Sequence, residues 1–374
     1  MLSMDRTDLD RILMLLDELD GSDLHIKAGA PPRMRVAGGL RTIDDEPSFS
    51  AEETLAIAEA IMPASVVDTF HDKHEADFAY SLHGTGRFRV NAYYQRGSVA
   101  LAMRRVRASA ATVAELGLPE VVTRLANEMR GLVLVTGPTG SGKTTTLAAM
   151  VDHINHTRSC HVVTIEDPVE YLHADNMAAI DQREVGFDTD SFGSAMRVVL
   201  RQDPDVILVG EMRDTETVSA ALTAAETGHM VMSTLHTINA TETINRIVDF
   251  FPPFQQSQIR VSLAGSLKGI ICQRLIPTAD GKSRVPALEI LVVNGRIQQA
   301  ILDPLLTADI DAIINDGEYY GMLTFDQSLV NLIADGTIDL AEAMSTASNP
   351  HDLKVMLERK GILGTGQFAA ANFS

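Results

Sequence analysis

Cysteine is nearly absent from this chain. Cys160 and Cys272 are the two it has, far apart and outside any C-x-x-C or Cys/His cluster, which argues against a disulfide framework and a thiolate zinc site and fits a reducing cytoplasm. Positive charge is also short: 31 Lys and Arg stand against 50 Asp and Glu, a formal net charge of −19. That balance argues against general binding to nucleic acid and against docking on anionic lipid by charge alone. Long apolar runs are missing as well, none approaching the roughly 18 residues that mark a membrane helix. The first residues carry Asp5, Asp8 and Asp10 where a secretory signal is basic and then apolar. A soluble protein without direct membrane insertion is expected, so that any work at a membrane passes through a partner.

What is present suggests more than one domain, since 374 residues exceed a single compact core. Leu9, Ile12, Leu13, Leu16 and Leu19 have helical spacing, and a second helix is expected from Ala51 to Met62. Between and after them the text is β-like, with alternation at Phe78, Tyr80 and Leu82 and again at Phe88, Val90, Ala92 and Tyr94 across a Gly84-Thr85-Gly86 turn, then a third strand from Ser98 to Val106. The first hundred or so residues therefore read as a small α+β domain. Ala108 to Ala114 reads as a linker. Beyond it, strand-like runs at Leu132–Val135, Val162–Ile165, Val206–Val209 and Met230–Ser233 alternate with helical stretches, the pattern of a mostly parallel sheet covered by helices. From Leu302 onward the chain reads as helical.

The most specific segment is Gly137, Pro138, Thr139, Gly140, Ser141, Gly142, Lys143, Thr144, which matches G-x-x-x-x-G-K-[ST] between a strand and a helix, with Thr145 following. Glycines let successive N–H groups converge on one anion at the start of a helix. Lys143 is placed to neutralise β- and γ-phosphates, and the Thr144 hydroxyl to meet Mg²⁺. The second strand ends in the acidic run Thr164-Ile165-Glu166-Asp167-Pro168-Val169-Glu170, either a functional cluster at the carboxyl edge of the sheet or an acidic surface loop. The third reads Val206-Ile207-Leu208-Val209-Gly210-Glu211. Gly210 stands where a metal-associated Asp is usual, so the metal is expected to lean on Thr144 and on Glu166 or Glu170. Glu211 is the candidate for polarising the attacking water. The fourth strand leads to His236, with His229 at its other end; each is a proton relay or phosphate sensor, or else a satisfied structural histidine. Arg89 on a strand of the small domain, and Arg104 on the next, are solvated arginines or charge donors to the phosphates.

In this order, Gly137 to Thr144, Thr164 to Glu170, the strand ending at Glu211 and Thr234-Leu235-His236-Thr237 resemble the Walker A, Asp box, Walker B and His box of the secretion ATPase superfamily. Arg87-Phe88-Arg89-Val90-Asn91-Ala92, Leu222-Thr223-Ala224-Ala225-Glu226-Thr227-Gly228-His229 and Gly321-Met322-Leu323-Thr324-Phe325-Asp326-Gln327 extend the likeness to its type IV pilus retraction branch. The resemblance implies an α/β chain with a PAS-like N-terminal domain at 1–107, a linker at 108–118, a RecA-like P-loop NTPase core at 119–302, a helical C-terminal region at 303–363 and a disordered tail at 364–374. It implies ATP and Mg²⁺ as cofactors, a homo-hexamer with ATP in the cleft between domains, and an inner-membrane platform protein of the pilus machine as partner, with no nucleic acid. Arginines of the N-terminal domain reach the nucleotide in that family, and the matching positions are Arg89 and Arg104; the resemblance also implies catalytic carboxylates at Glu211 and Glu170. Assembly ATPases of the same superfamily carry a four-cysteine insertion after the His box and an extra N-terminal domain; this sequence has neither, Cys272 being the lone cysteine there. Where the retraction branch has an AIRNLIRE-type motif, Arg296 to Asp303 keeps Ile297, Ile301 and the final acid but has Gln298 at the central arginine, which leaves an accessory retraction ATPase open. A ring helicase or DNA translocase and a non-hydrolysing nucleotide-binding regulator are the readings from other classes.

Overall fold

The computed structural model describes residues 6–43, 46–107 and 110–363; the tail expected at 364–374, and residues 108 and 109 of the expected linker, lie outside the described residues. Contacts divide the chain into two compact units at 109/110, with residues 169–173 joining the first.

In the first unit, α1 (Arg6–Glu18) buries Leu9, Ile12, Leu13 and Leu16, the stripe its spacing required. Strands β1 (Asp23–Lys27), β2 (Arg33–Val36) and β3 (Gly39–Thr42) follow. Helix α2 (Ala51–Ile61) begins at Ser50, whose hydroxyl accepts the Glu53 N–H while the Glu53 carboxylate accepts the Ser50 N–H, a reciprocal cap. Then come α3 (Ala64–Lys73), β4 (Glu75–Leu82), β5 (Gly86–Gln95) and β6 (Ser98–Arg105). The strands form one six-stranded sheet in the order β3-β2-β1-β6-β5-β4, antiparallel throughout. Along β5, Phe88, Val90 and Ala92 are buried and Arg89 is exposed, because successive strand residues face opposite sides. The buried face joins Leu9, Leu13, Phe49, Phe70 and Phe88 in a single core.

The second unit contains α4 (Glu120–Ala126), β7 (Gly131–Thr136), α5 (Lys143–Thr157), β8 (His161–Glu166), β9 (Ala179–Glu184), α6 (Phe192–Val199), β10 (Val206–Val209), α7 (Thr215–Glu226), β11 (Met230–Leu235), α8 (Ala240–Asp249) and α9 (Pro253–Ser266). A hairpin, β12 (Leu267–Pro277) and β13 (Arg284–Val292), and five helices, α10 (Gly295–Leu302), α11 (Ile310–Asn315), α12 (Phe325–Ala334), α13 (Leu340–Thr346) and α14 (Pro350–Arg359), complete it. Its seven-stranded sheet runs β13-β12-β7-β11-β10-β8-β9. Every neighbouring pair is parallel except β12 with β13. The central strands are apolar on both faces because both are covered: Leu132 and Leu134 enter one core, Val133 and Val135 the other.

Two expected segments are packed into cores of the second unit. The stretch read as a linker is packed where it is described, with Val113 and Leu118 buried beside Val121 and Val122. The C-terminal helices share a core with the sheet, since Ile310, Phe325, Leu353 and Leu357 belong to the cluster that contains Leu132 and Ile207.

Candidate functional site

All six residues of β7 are buried, and the chain turns sharply as it leaves them. Gly137 has φ 139°, and a Cβ there would stand 2.3 Å from the Gln273 carbonyl oxygen, so both conformation and space require glycine. Helix α5 starts after Gly142, which makes no side-chain cap; its first-turn N–H groups are thereby left to an anion. Lys143 Nζ donates to the carbonyls of Gly137 at 2.9 Å and Pro138 at 3.0 Å. Burial lowers the pKa of Lys143, and the Glu211 carboxylate opposes that shift. Ser141 Oγ is buried with no hydrogen-bond partner among the described residues, a donor that a bound phosphate would satisfy. Thr144 and Thr145 are half-buried in the first turn of α5. Pro138, Thr139 and Gly140 form the exposed crest of the loop.

The acids arrive from neighbouring strands. Glu166 ends β8, and its Oε1 accepts from the Thr164 hydroxyl at 2.7 Å and the Gln182 amide at 3.1 Å. Glu211 is buried just past β10, with Oε2 2.5 Å from Arg213 Nε and 3.6 Å from Nε2 of His236, which follows β11. Thr234 Oγ1 donates to the Gly210 carbonyl at 2.6 Å and Met212 N–H to the Thr234 carbonyl at 3.1 Å, so the ends of β10 and β11 are pinned side by side. A Cβ at Gly210 would lie 3.2 Å from the Ile165 carbonyl oxygen and 3.4 Å from Glu166 Cα. The absent Asp is thus matched by close approach of β8, and Glu166 is brought to that edge. Among the described residues no group of three or more His, Cys, Asp or Glu is placed to hold a metal ion by itself, which suits Mg²⁺ held by the Thr144 hydroxyl, phosphates and one or two carboxylates. Beside Glu211, a cavity of about 280 Å³ is lined by Met212, Arg213, Leu235, His236, Thr237, Glu242, Arg246 and Phe250.

Of the remaining expected residues, His229 lies in the second unit away from the carboxyl edge, and Glu170, Arg89 and Arg104 belong to the first unit. His229 precedes β11, at the opposite end from His236; its Nδ1 meets the Ala224 carbonyl oxygen at 3.0 Å. Six strand residues, roughly 20 Å, separate it from the carboxyl edge, so within one chain it is a turn-fastening residue rather than a proton relay at the loop. Glu170 lies in the segment 169–173 of the first unit, where Tyr171 bridges to Arg107 and Leu172 N–H donates to the Arg107 carbonyl at 2.8 Å. Arg89 and Arg104 are directly paired across β5 and β6 in the first unit, and Arg104 Nε donates to Asp23 Oδ1 at 2.8 Å.

Two buried polar residues near the site carry no motif signal. Gln273 on β12 contacts the phosphate loop through Ser141 and α5 through Thr146. Glu289 on β13 accepts the Ala240 N–H at 2.7 Å, at the start of the helix that follows His236. A polar side chain inside an otherwise apolar run, as in Gly269-Ile270-Ile271-Cys272-Gln273 and Ala287-Leu288-Glu289-Ile290-Leu291, is the one available hint.

The family described as Type II/IV secretion system protein matches residues 22–313. The chain is 43% identical over 345 residues to the type IV pilus retraction ATPase PilT of Pseudomonas aeruginosa, covering 92% of this chain and 99% of that one. It is 40% identical over 351 residues to the type IV pilus ATPase PilU of the same organism, covering 94% and 91%. A crystal structure of the pilus retraction motor PilT with bound ADP superposes with a TM-score of 0.84 at 44% identity, over 93% of this chain and 99% of that one.

Proposed function

Because the chain belongs to the Type II/IV secretion system protein family, we propose that it is a Mg²⁺-dependent motor ATPase that powers type IV pilus retraction and twitching motility, converting ATP and water to ADP and phosphate. The observation that carries this reading is a phosphate loop and a buried carboxylate on one parallel sheet: the loop leaves β7, Glu211 follows β10, and β11 pairs with both strands. The names of the two relatives and of the ADP-bound structure support the nucleotide and the pilus.

In this reading the N–H groups from Gly137 to Thr145 bind the phosphates, and Lys143 exchanges its loop carbonyls for phosphate oxygens. Glu211 orients the attacking water and His236 accepts or returns a proton beside it. The Thr144 hydroxyl and a carboxylate, Glu166 by its position, hold Mg²⁺. Bound Mg²⁺ supplies positive charge that offsets the charge building on the phosphates. Arg89 and Arg104 are assigned as further cationic groups toward the nucleotide. The working assembly is a homo-hexamer in the cytoplasm, acting on an inner-membrane platform protein; among the described residues no helix is long and apolar enough to cross a membrane.

Deleting the gene tests the direction of the motor. A retraction motor gives excess surface pili without twitching, and loss of surface pili would instead assign an assembly motor. The likeness to PilU supports one second reading, an accessory retraction ATPase, which requires a partner ATPase to restore twitching.

A further inference from the structure

The β12–β13 hairpin makes its polar side-chain contacts with the phosphate loop through Gln273. Gln273 is 1% exposed; its Nε2 donates to the Ser141 carbonyl at 2.5 Å and its Oε1 accepts the Thr146 hydroxyl at 2.9 Å. Its own carbonyl oxygen is the atom that crowds Gly137. One residue, more than a hundred positions downstream, therefore touches the loop at its first glycine, near its end and on the helix that follows. Main-chain pairing of β12 with β7, Cys272 opposite Thr136, holds it in place.

The Ser141–Gly142 peptide explains why this matters. A trans peptide is planar, with its C=O and N–H pointing in opposite directions. Tying the Ser141 oxygen to Gln273 therefore turns the Gly142 N–H away from β12. Gly142 has φ 89°, and glycine tolerates either orientation of such a peptide at little cost, so the plane needs an external constraint. We propose that Gln273 is a positioning residue for the phosphate loop: it prevents the Ser141–Gly142 peptide from flipping and so keeps a main-chain donor, rather than a carbonyl oxygen, turned toward the bound phosphates. An uncharged amide suits the task because it offers a donor and an acceptor on one plane. Glutamate would keep the Thr146 bond but set a carboxylate against the Ser141 oxygen.

The inference rests on the nucleotide-hydrolase reading, and wild-type ATP hydrolysis is the control that separates the two. Q273L, Q273E and T146V are compared in full-length protein by ATP hydrolysis against ATP concentration and by ADP binding. Q273L and Q273E should raise KM for ATP and Kd for ADP by about tenfold, the ratio that 1.4 kcal/mol produces, with kcat changed far less. T146V removes the contact on the α5 side alone and should have the smaller effect. Wild-type KM and Kd in Q273L and Q273E would overturn the assignment. So would a lower melting temperature with Kd unmoved, which is how a merely structural residue behaves. If Q273L does not fold, Q273E, which keeps the volume and the Thr146 bond, decides by the same criteria. Absence of hydrolysis and ADP binding in the wild type would count against the enzymatic reading itself.

Discussion

Nε2 of His236 lies 3.6 Å from Oε2 of Glu211, just beyond hydrogen-bond length and closable by a small side-chain rotation. The pair comes from adjacent parallel strands whose ends are pinned by Thr234, so its approach is set by strand spacing. Glu211→Gln keeps shape and removes the base. Hydrolysis should fall by about 10²- to 10⁴-fold, the usual contribution of general-base assistance, while ATP binding is retained. Single-turnover hydrolysis and nucleotide binding on the same preparation check this, and unchanged turnover would withdraw Glu211 from the role.

Lys143→Ala should act on binding first. The ammonium that joins two loop carbonyls is the cation the phosphates would take up, and its removal leaves them without it. ADP affinity is expected to drop by about a hundredfold, in line with a lost charge-assisted contact to the phosphates. Equilibrium titration with a fluorescent nucleotide gives the number; normal affinity would mean that Lys143 does not face the phosphates.

Arg104 is engaged by Asp23. Burial raises the Asp23 pKa, but the Ser22 hydroxyl and the Arg104 guanidinium outweigh it and hold the group below its ordinary value. The stability this pairing contributes is therefore present at neutral pH and lost as pH falls through the lowered pKa. If the first unit's arginines serve the nucleotide, R89A and R104A should cut turnover by about 10³-fold, as loss of an arginine finger does, with ADP affinity little changed. Full turnover in both variants would return them to the status of solvated surface charges.

Glu289 predicts a pH dependence of stability. Burial raises its pKa from 4.5 to about 7; the Ala240 N–H opposes this, Asp311 adds to it, and Arg274 opposes it more weakly. Between those two values the folded chain binds more protons than the unfolded one, so stability is highest at the acid end and declines as pH rises toward 7. The decline attributable to this group is roughly 3 kcal/mol. Glu289→Gln retains an acceptor for the Ala240 N–H and cannot ionise. It should match the wild type near pH 4.5 and be more stable at pH 8 in denaturant titrations; equal stability at pH 8 would show that the carboxyl ionises without penalty.

The parts of this molecule that were legible in its sequence are those where local chemistry leaves little choice. Leu132 to Val135, buried on both faces, had to be an interior strand, and the glycines after it announced a turn around an anion. The alternation of Phe88, Val90 and Ala92 with Arg89 and Asn91 was equally direct. Strand β9, Ala-Ile-Asp-Gln-Arg-Glu, is polar because it is an edge strand, and no periodicity separates it from a loop. Gln273 and Glu289 act across more than forty residues of chain, through pairing that a linear pattern does not encode. Glu170 shares an acidic motif with Glu166, yet its contacts group it with the first unit, a division that the linear motif does not encode.

Strand β7 has β12 on one side and β11 on the other, so its amides sit in the middle of a continuous hydrogen-bonded ladder rather than at a margin. Such a strand opens only when the surrounding unit opens, and amide exchange there reports the global free energy. The glycine turn that receives the phosphates is thus suspended from the least yielding point of the unit.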